Sequence, residues 1–298
     1  MAKIISFHSF RAGTGKSNIT ANVAAQFALW GNRVGVIDTD VPSPGIHAIF
    51  GIEEKNVDKT LNDYLWDRCA IEDTAYDVSA QVGGTGAAAI SGQIYLIPAS
   101  NRTGEITRVL RDGYDVNTLN DGLRTLTAKL DLDYLFIDTH PGLNEETLPS
   151  IAISDLLIIV LRPDQQDFQG TAVTVDVARK LNVPLMHLVV NKVPFPNYDF
   201  VEELRRQATE EIRRQVEEIS AFFEKQRQQE KEKHRRQLES MRQQVEKTYA
   251  APVIAILPLS EGVARMRSAD LFAIRVPDHP YSEGIRNIAA AIEAAEIV

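Results

Sequence analysis

Short runs of β-branched and aliphatic residues alternate along this chain with longer stretches whose apolar positions recur every three to four residues. That is the rhythm of strands alternating with helices. Lys3 to Phe7, Arg33 to Asp38, Gln93 to Pro98, Tyr134 to Asp138, Asp155 to Leu161, Leu185 to Asn191 and Pro252 to Leu257 read as strands. Most are apolar on both faces, as the strands of a parallel sheet covered by helices on either side must be. Helices are predicted over Ser17–Trp30, Thr118–Leu130, Glu145–Ile153, Gln169–Leu181 and Tyr281–Ala295, with Gly31-Asn32 as the turn after the first of them. The sum is an α/β fold, a single domain over residues 1–298 built on a mostly parallel, twisted sheet with helices on both faces. The glycines between Val82 and Gly92 follow no strand and are joined by no lysine, so that segment reads as a loop.

One stretch breaks the rhythm. Asp199–Thr248 contains no Gly or Pro and carries 12 acidic and 12 basic residues. Such a composition favours helix. Val201, Leu204, Ala208, Ile212, Val216, Ile219 and Phe223 line one face, and Leu238, Met241, Val245 and Thr248 form a second stripe. Nothing strongly apolar lies between Phe223 and Leu238. A helix that merely crosses from one sheet edge to the other needs roughly 20 Å, and fifty helical residues span about 75 Å. The chain must double back or project. An antiparallel hairpin with its tip within Glu224–Arg236 is the favoured form, each helix lending its stripe to the other; one long helix that swaps onto a second copy is the alternative. Either would be a helical, coiled-coil-like insertion suited to docking a partner.

Charge sharpens this division. The formal charge of the 298 residues is −9, and the insertion is neutral, so the acidic excess belongs wholly to the body. An acidic body argues against a surface given over to nucleic acid. With 44% apolar residues, global disorder is excluded. The one cysteine, Cys69, excludes a disulfide framework and a thiolate-bound structural zinc. The opening residues are too short in apolar length for a signal peptide, and the longest aliphatic run, Leu156–Leu161, is far below the roughly 20 residues of a membrane helix. A cytoplasmic protein is expected.

The candidate chemistry begins at Ser9-Phe10-Arg11-Ala12-Gly13-Thr14-Gly15-Lys16-Ser17, between a strand and a helix. Gly13-x-Gly15-Lys16-Ser17 is the core of a phosphate-binding P-loop, although Phe10 stands where the standard pattern has its first glycine. Small residues let successive amides face phosphate oxygens, and the helix adds its positive end. Lys16 would neutralise the β- and γ-phosphates, and Ser17 would offer its hydroxyl to Mg²⁺. Gly13, Thr14, Gly15, Lys16 and Ser17 are therefore nucleotide-binding candidates.

The arrangement resembles the deviant P-loop of the ParA/MinD ATPases, written K-G-G-x-G-K-[ST], with Arg11 at the signature lysine and Ala12 at the first glycine. Arginine keeps the charge with a different donor geometry. The resemblance continues in Val34-Gly35-Val36-Ile37-Asp38-Thr39-Asp40, in Tyr134-Leu135-Phe136-Ile137-Asp138-Thr139-His140-Pro141-Gly142, in Leu188-Val189-Val190-Asn191-Lys192 and in Ala255-Ile256-Leu257-Pro258-Leu259. It covers about residues 3–192 and 252–295. What it implies is that Asp40 positions the attacking water, Asp38 and Asp138 support Mg²⁺ beside Ser17, Asn191 and Pro258 hold adenine, and Arg11 reaches a partner's nucleotide across a homodimer. His140, a lone loop histidine, stays outside the catalytic set of Lys16, Asp40 and Arg11. Asn191-Lys192 is followed by Val193-Pro194 and lacks the aspartate that guanine requires, which favours ATP.

The implied activity is slow, Mg²⁺-dependent ATP hydrolysis by an ATP-dependent homodimer that positions or regulates a protein partner, the partner docking on 199–248. A scaffold that binds nucleotide with little hydrolysis is the alternative, and a small-molecule P-loop kinase a weaker one. The Ala-rich, slightly acidic C-terminal residues disfavour membrane targeting. Nonspecific DNA binding would rest on Arg265, Arg267 and Arg275 alone.

Overall fold

The computed structural model describes residues 2–83, 90–144, 147–194, 210–266 and 269–295. Eight strands form one sheet: β1 Lys3–His8, β2 Arg33–Asp38, β3 Tyr76–Asp77, β4 Gln93–Ile97, β5 Tyr134–Asp138, β6 Leu156–Leu161, β7 Leu185–Val193 and β8 Val253–Pro258. Their order is β3-β4-β2-β5-β1-β6-β7-β8. All neighbours pair in parallel except β3, which runs antiparallel to β4 at one edge. The α/β architecture read from the sequence is the one observed. Every residue of β5 and β6 is buried, the state that strands covered on both faces must adopt.

Helices cover both faces. Lys16–Leu29 buries ten of its residues, Ile19, Val23 and Phe27 among them, and packs beside the Pro280–Glu293 helix. The Phe27 ring lies 4.5 Å from Tyr134 and 5.4 Å from Phe136, centroid to centroid. Gly31 takes φ +96°, and the amides of Gly31 and Asn32 return to the carbonyls of Ala28 and Phe27, closing this helix and turning the chain into β2. On the opposite face Val116–Lys129 covers Ile37, Leu135 and Ile137, and Gln165–Lys180 covers Leu157, Ile159 and Leu161.

Boundaries differ from expectation at two helices. Gln165–Lys180 begins a turn before Gln169, because the Asp164 carboxylate accepts the Asp167 amide as a cap. Of the helix expected over Glu145–Ile153, Thr147–Ala152 is formed, and residues 145–146 lie outside the described residues. The glycine-rich loop is outside them over 84–89. Small elements that the sequence pattern did not signal fill the path from β2 to β5: β3, the helices Ile46–Ile49, Leu61–Leu65, Ser79–Gly83 and Thr103–Asp112, and two short 3-10 turns.

The insertion departs more clearly. Residues 199–209 lie outside the described residues, and from there one helix, Glu210–Tyr249, runs unbroken for 40 residues, about 60 Å. It passes straight through Glu224–Arg236, where a hairpin tip was expected; with no Gly or Pro and a helix-forming composition, nothing there breaks it. The second stripe also serves a different purpose. Val245 and Tyr249 are buried in the body's core, with Leu238 and Met241 packed against them, so this stripe seats the helix on the sheet instead of on a sister helix. Tyr249, not Thr248, completes it: its hydroxyl donates to the Phe168 carbonyl at 2.7 Å, and its own carbonyl accepts from Arg179 at 2.5 Å. Residues 228–233 and 235–237 are exposed. Tyr249→Ala is expected to destabilise the protein by about 3–5 kcal/mol, since a buried aromatic and its hydroxyl bond are lost together. Urea denaturation measures it, and a change under 1 kcal/mol would show that the helix is not held at this footing.

Candidate active site

The carboxyl ends of β2, β5 and β1 lie side by side, with Phe7 in register with Asp138 and Asp38 with Asp138. After His8 the chain turns through Ser9–Gly15 and enters the helix at Lys16. Gly13 and Gly15 take φ +77° and +92°, the left-handed region that glycine reaches without strain. Gly15 is the helix N-cap and no side chain caps it, which leaves first-turn amides for an anion. The Phe10 ring fills the space where Gly170 lacks a Cβ. This contact accounts for a bulky residue where other P-loops have glycine.

A second element braces the loop. The pairing of β7 with β8 shifts register between Val190 and Val193, and Lys192 takes φ +60°. Such a bulge re-aims side chains. Here Asn191 Nδ2 donates to the Thr14 carbonyl at 2.6 Å and Lys192 Nζ to the Gly13 carbonyl at 2.7 Å. With these carbonyls held outward, the intervening amides can face inward. Thr14 Oγ1 is buried and accepts or donates no bond among the described residues, an orphaned polar atom inside the loop. Asn191 Oδ1 accepts its neighbour Lys192's amide, which leaves the side chain one N–H and one lone pair for a base. Gly15, Asn18, Asn191, Lys192, Pro258, Leu259, Ser260 and Tyr281 are among the residues around a cavity of about 210 Å³. It lies beside the start of the P-loop helix, where the base of a nucleotide would follow its phosphates.

Three carboxylates converge opposite the loop. Buried Lys16 pairs with buried Asp138, and Thr20 Oγ1 lies 3.4 Å from the same oxygen. Asp38 accepts the Asp40 amide on one oxygen at 3.0 Å and those of Gly45 at 3.0 Å and Ile46 at 3.4 Å on the other. It is thereby the anchor of the 40–46 loop. Asp40 Oδ1 lies 2.6 Å from His140 Nδ1 and accepts the Ser43 amide at 3.2 Å. Burial, then the charges of Asp138 and Asp40, pushes Asp38 up to about 8 against the pull of Lys16. One lysine faces three acids, so the site has room in its charge balance for a divalent cation. Among the described residues no group of three His, Cys, Asp or Glu side chains could hold a metal alone. The donor set therefore fits Mg²⁺ in its usual mode, one or two protein oxygens completed by phosphates.

His8 lies under this cluster. Thr139 Oγ1 donates to the Phe7 carbonyl at 3.0 Å, so His8 Nδ1, 2.8 Å from that hydroxyl, carries the proton and donates to it. Burial, then the positive charges of Lys16 and His140, drives His8 down to about 3 and keeps it neutral. The two shifts have opposite signs. Asp38, raised, stabilises the fold fully below about pH 4 and loses that contribution as the pH rises through about 8; neutral His8 contributes fully above about 6.5. Between pH 6.5 and 8 only the Asp38 change is in progress, and the urea midpoint of the ligand-free protein is expected to fall. A midpoint that rises across that interval would contradict the burial of an Asp38 charge.

Arg11 points within its own chain. Its Nη1 lies 3.6 Å from Asp167 and 3.8 Å from Asp164. Buried Asp167 also receives Arg162 through two side-chain bonds, at 3.0 and 3.1 Å, and a backbone bond at 2.9 Å. Burial pushes Asp167 up, but the Arg162 bonds and charge, with Arg11 behind them, hold it below the usual carboxylate range.

The structure thus brings Lys16, Asp38, Asp40 and Asp138 into one cluster, sets Ser17 at its edge in the first turn of the helix, and places Asn191 and Pro258 around the neighbouring cavity. Sequence reasoning set His140 aside as a lone loop histidine, although it stands two residues after Asp138, and gave no role to Lys192, whose signal was its adjacency to Asn191. Arg265 and Arg275 are each paired with an acid on their own surface, Glu261 and Asp270, and Arg267 lies outside the described residues. No helix among the described residues is long and apolar enough to cross a membrane.

Comparison with known proteins bears on the family and the fold. An AAA domain family matches residues 2–187. An uncharacterised ATP-binding protein of Methanocaldococcus jannaschii is 29% identical over 193 residues, 65% of this chain and 65% of that protein. An iron-sulfur cluster carrier protein of the same organism is 29% identical over 190 residues, 63% of this chain and 59% of that protein. The chain spans less than two thirds of the length of these curated relatives. Among solved structures, the septum site-determining protein MinD of Pyrococcus horikoshii, complexed with Mg-ADP, superposes with a TM-score of 0.69 at 18% identity, covering 99% of this chain and 97% of that one. The chain belongs to the AAA domain family, and its fold is that of the ParA/MinD P-loop ATPases.

Proposed function

We propose that this protein is an ATP-driven switch: it binds ATP, pairs as a homodimer around two nucleotides, and hydrolyses ATP slowly to regulate or position a protein partner. The observation that carries the reading is the buried Lys16–Asp138 pair, placed directly after a glycine-rich loop with left-handed Gly13 and Gly15. In this reading the amides of Gly13–Ser17 hold the phosphates and Lys16 balances their charge as it now balances Asp138. Asp40 orients water at the γ-phosphate, and Asn191 and Pro258 flank adenine. Arg11 leaves Asp164 and Asp167 to meet the partner's nucleotide. Ser17 and Asp138 would hold Mg²⁺, which would supply charge neutralisation on the phosphates, and Asp38 fixes the loop that carries Asp40. The arm over 210–249 is the surface offered to the protein partner.

Light scattering after size exclusion tests the reading, together with phosphate release. A dimer formed only with ATP and Mg²⁺, lost in Arg11→Ala, supports it; a monomer in every condition overturns the dimer. A scaffold that retains ATP with little turnover is the second reading, and the pairing of Arg11 within its own chain favours it. Tight ATP retention without phosphate release would establish that alternative. The cluster-carrying role named for some relatives has little support here, because clusters are held by several thiolates and these 298 residues contain Cys69 alone.

A further inference from the structure

We propose that His140 is a positioning residue for hydrolysis: donated from Nδ1, its hydrogen bond fixes Asp40 and ties the loop after β2 to the loop after β5. The inference rests on the ATPase reading above and on Asp40's role in it. The ring is mounted rigidly. On one side Thr139 is anchored to the Phe7 carbonyl and to buried His8. On the other, Pro141 restricts the backbone of the residue before it to extended conformations, and the Gly142 amide donates to the Ser9 carbonyl at 2.9 Å. His140 therefore projects from a segment tied at both ends to the strand and turn that lead into the P-loop. Its Nδ1 reaches Asp40 Oδ1 at 2.6 Å, with both groups largely shielded from solvent.

The consequence for Asp40 is geometric. The bonds from His140 and from the Ser43 amide converge on Oδ1, which fixes the carboxylate plane and makes Oδ2 the oxygen available to a water. A carboxylate on a loop with no such tie would sample several orientations, and a misplacement of 1 Å at a reacting centre can lower the rate by about 100-fold. Ground-state nucleotide binding uses the P-loop and the 210 Å³ cavity, neither of which His140 lines. Its removal should therefore slow turnover and leave ATP affinity in place.

Steady-state ATP hydrolysis by full-length protein tests this in four variants. His140→Ala is expected to lower kcat about 10-fold, with KM for ATP and the melting temperature little changed. His140→Asn, whose amide N–H replaces Nδ1–H, should recover most of the rate. Asp40→Asn should lower kcat, and adding His140→Ala to it should have no further effect, the signature of two residues acting as one unit. Full kcat in His140→Ala beside an impaired Asp40→Asn overturns this inference alone, as does a double variant in which the two losses multiply. Full kcat in Asp40→Asn overturns the assignment of Asp40, and the inference with it.

Discussion

Lys16→Ala is expected to abolish ATP binding and to weaken the ligand-free fold. Lys16 is the lysine that faces Asp38, Asp40 and Asp138, and both it and Asp138 are buried. Removing one partner of such a pair typically destabilises by about 3–5 kcal/mol, because the other charge stays behind in a low-dielectric site. Part of this is recovered if the acidic cluster takes up a proton, so the loss should be larger at pH 8 than at pH 6. Phosphates would then approach an acidic cluster stripped of its lysine, and affinity should fall by about 1,000-fold or more. Isothermal titration calorimetry reads the binding, and urea denaturation at the two pH values reads the stability. Retained ATP affinity would sink the assignment of the whole site.

Gly15→Ala should be nearly as damaging, for steric reasons. At φ +92° a Cβ is strained by about 1–2 kcal/mol, and this Cβ would collide with the Asn191 side-chain amide. Asn191 cannot yield without releasing the Thr14 carbonyl, so the change disturbs the phosphate loop and the base cavity together. An affinity loss of about 100-fold is expected, the equivalent of about 2.8 kcal/mol. Gly13→Ala is the control. It has a similar φ of +77° but open space around the added Cβ, so only the backbone strain applies and the effect should be about tenfold smaller. Equal losses in the two variants would mean that the Asn191 contact is not what makes Gly15 necessary.

The β-sheet and the phosphate loop were legible in the chain for a physical reason: each depends on local signals. Strands buried on both faces write uninterrupted apolar runs such as Leu156–Leu161, and a phosphate loop needs small residues at fixed spacing before Lys16. Between β2 and β5 the strand at Gln93 and the helix before Lys129 were legible, but the small elements were not, since helices of four or five residues such as Ile46–Ile49 span little more than one turn and leave no periodic trace. The early start of the helix at Gln165 was in principle readable from Asp164 as a cap. The partners of Arg11 and Asp40 were not, because Asp167 and His140 are separated from them by 156 and 100 residues of sequence and meet only through the order of the strands. The charged insertion was read as helical from composition, which is local; whether it turns back is set by what its stripes pack against, which is not.

The long helix has a mechanical consequence. Its last three turns are clamped by Tyr249 to Phe168 and Arg179 of the Gln165–Lys180 helix. The same helix supports Phe10 at Gly170 and faces Arg11 through Asp167. Beyond the clamp, residues 210–237 extend the helix by about 40 Å. It is a lever whose fulcrum sits on the element that touches the phosphate loop. A tilt of about 10° moves the clamped turns by less than about 2 Å at their edges and carries the far end through roughly 7 Å. A shift of under about 2 Å beside the Ser9–Gly15 loop thus corresponds, at the other end of a stiff rod, to a displacement the size of a side chain.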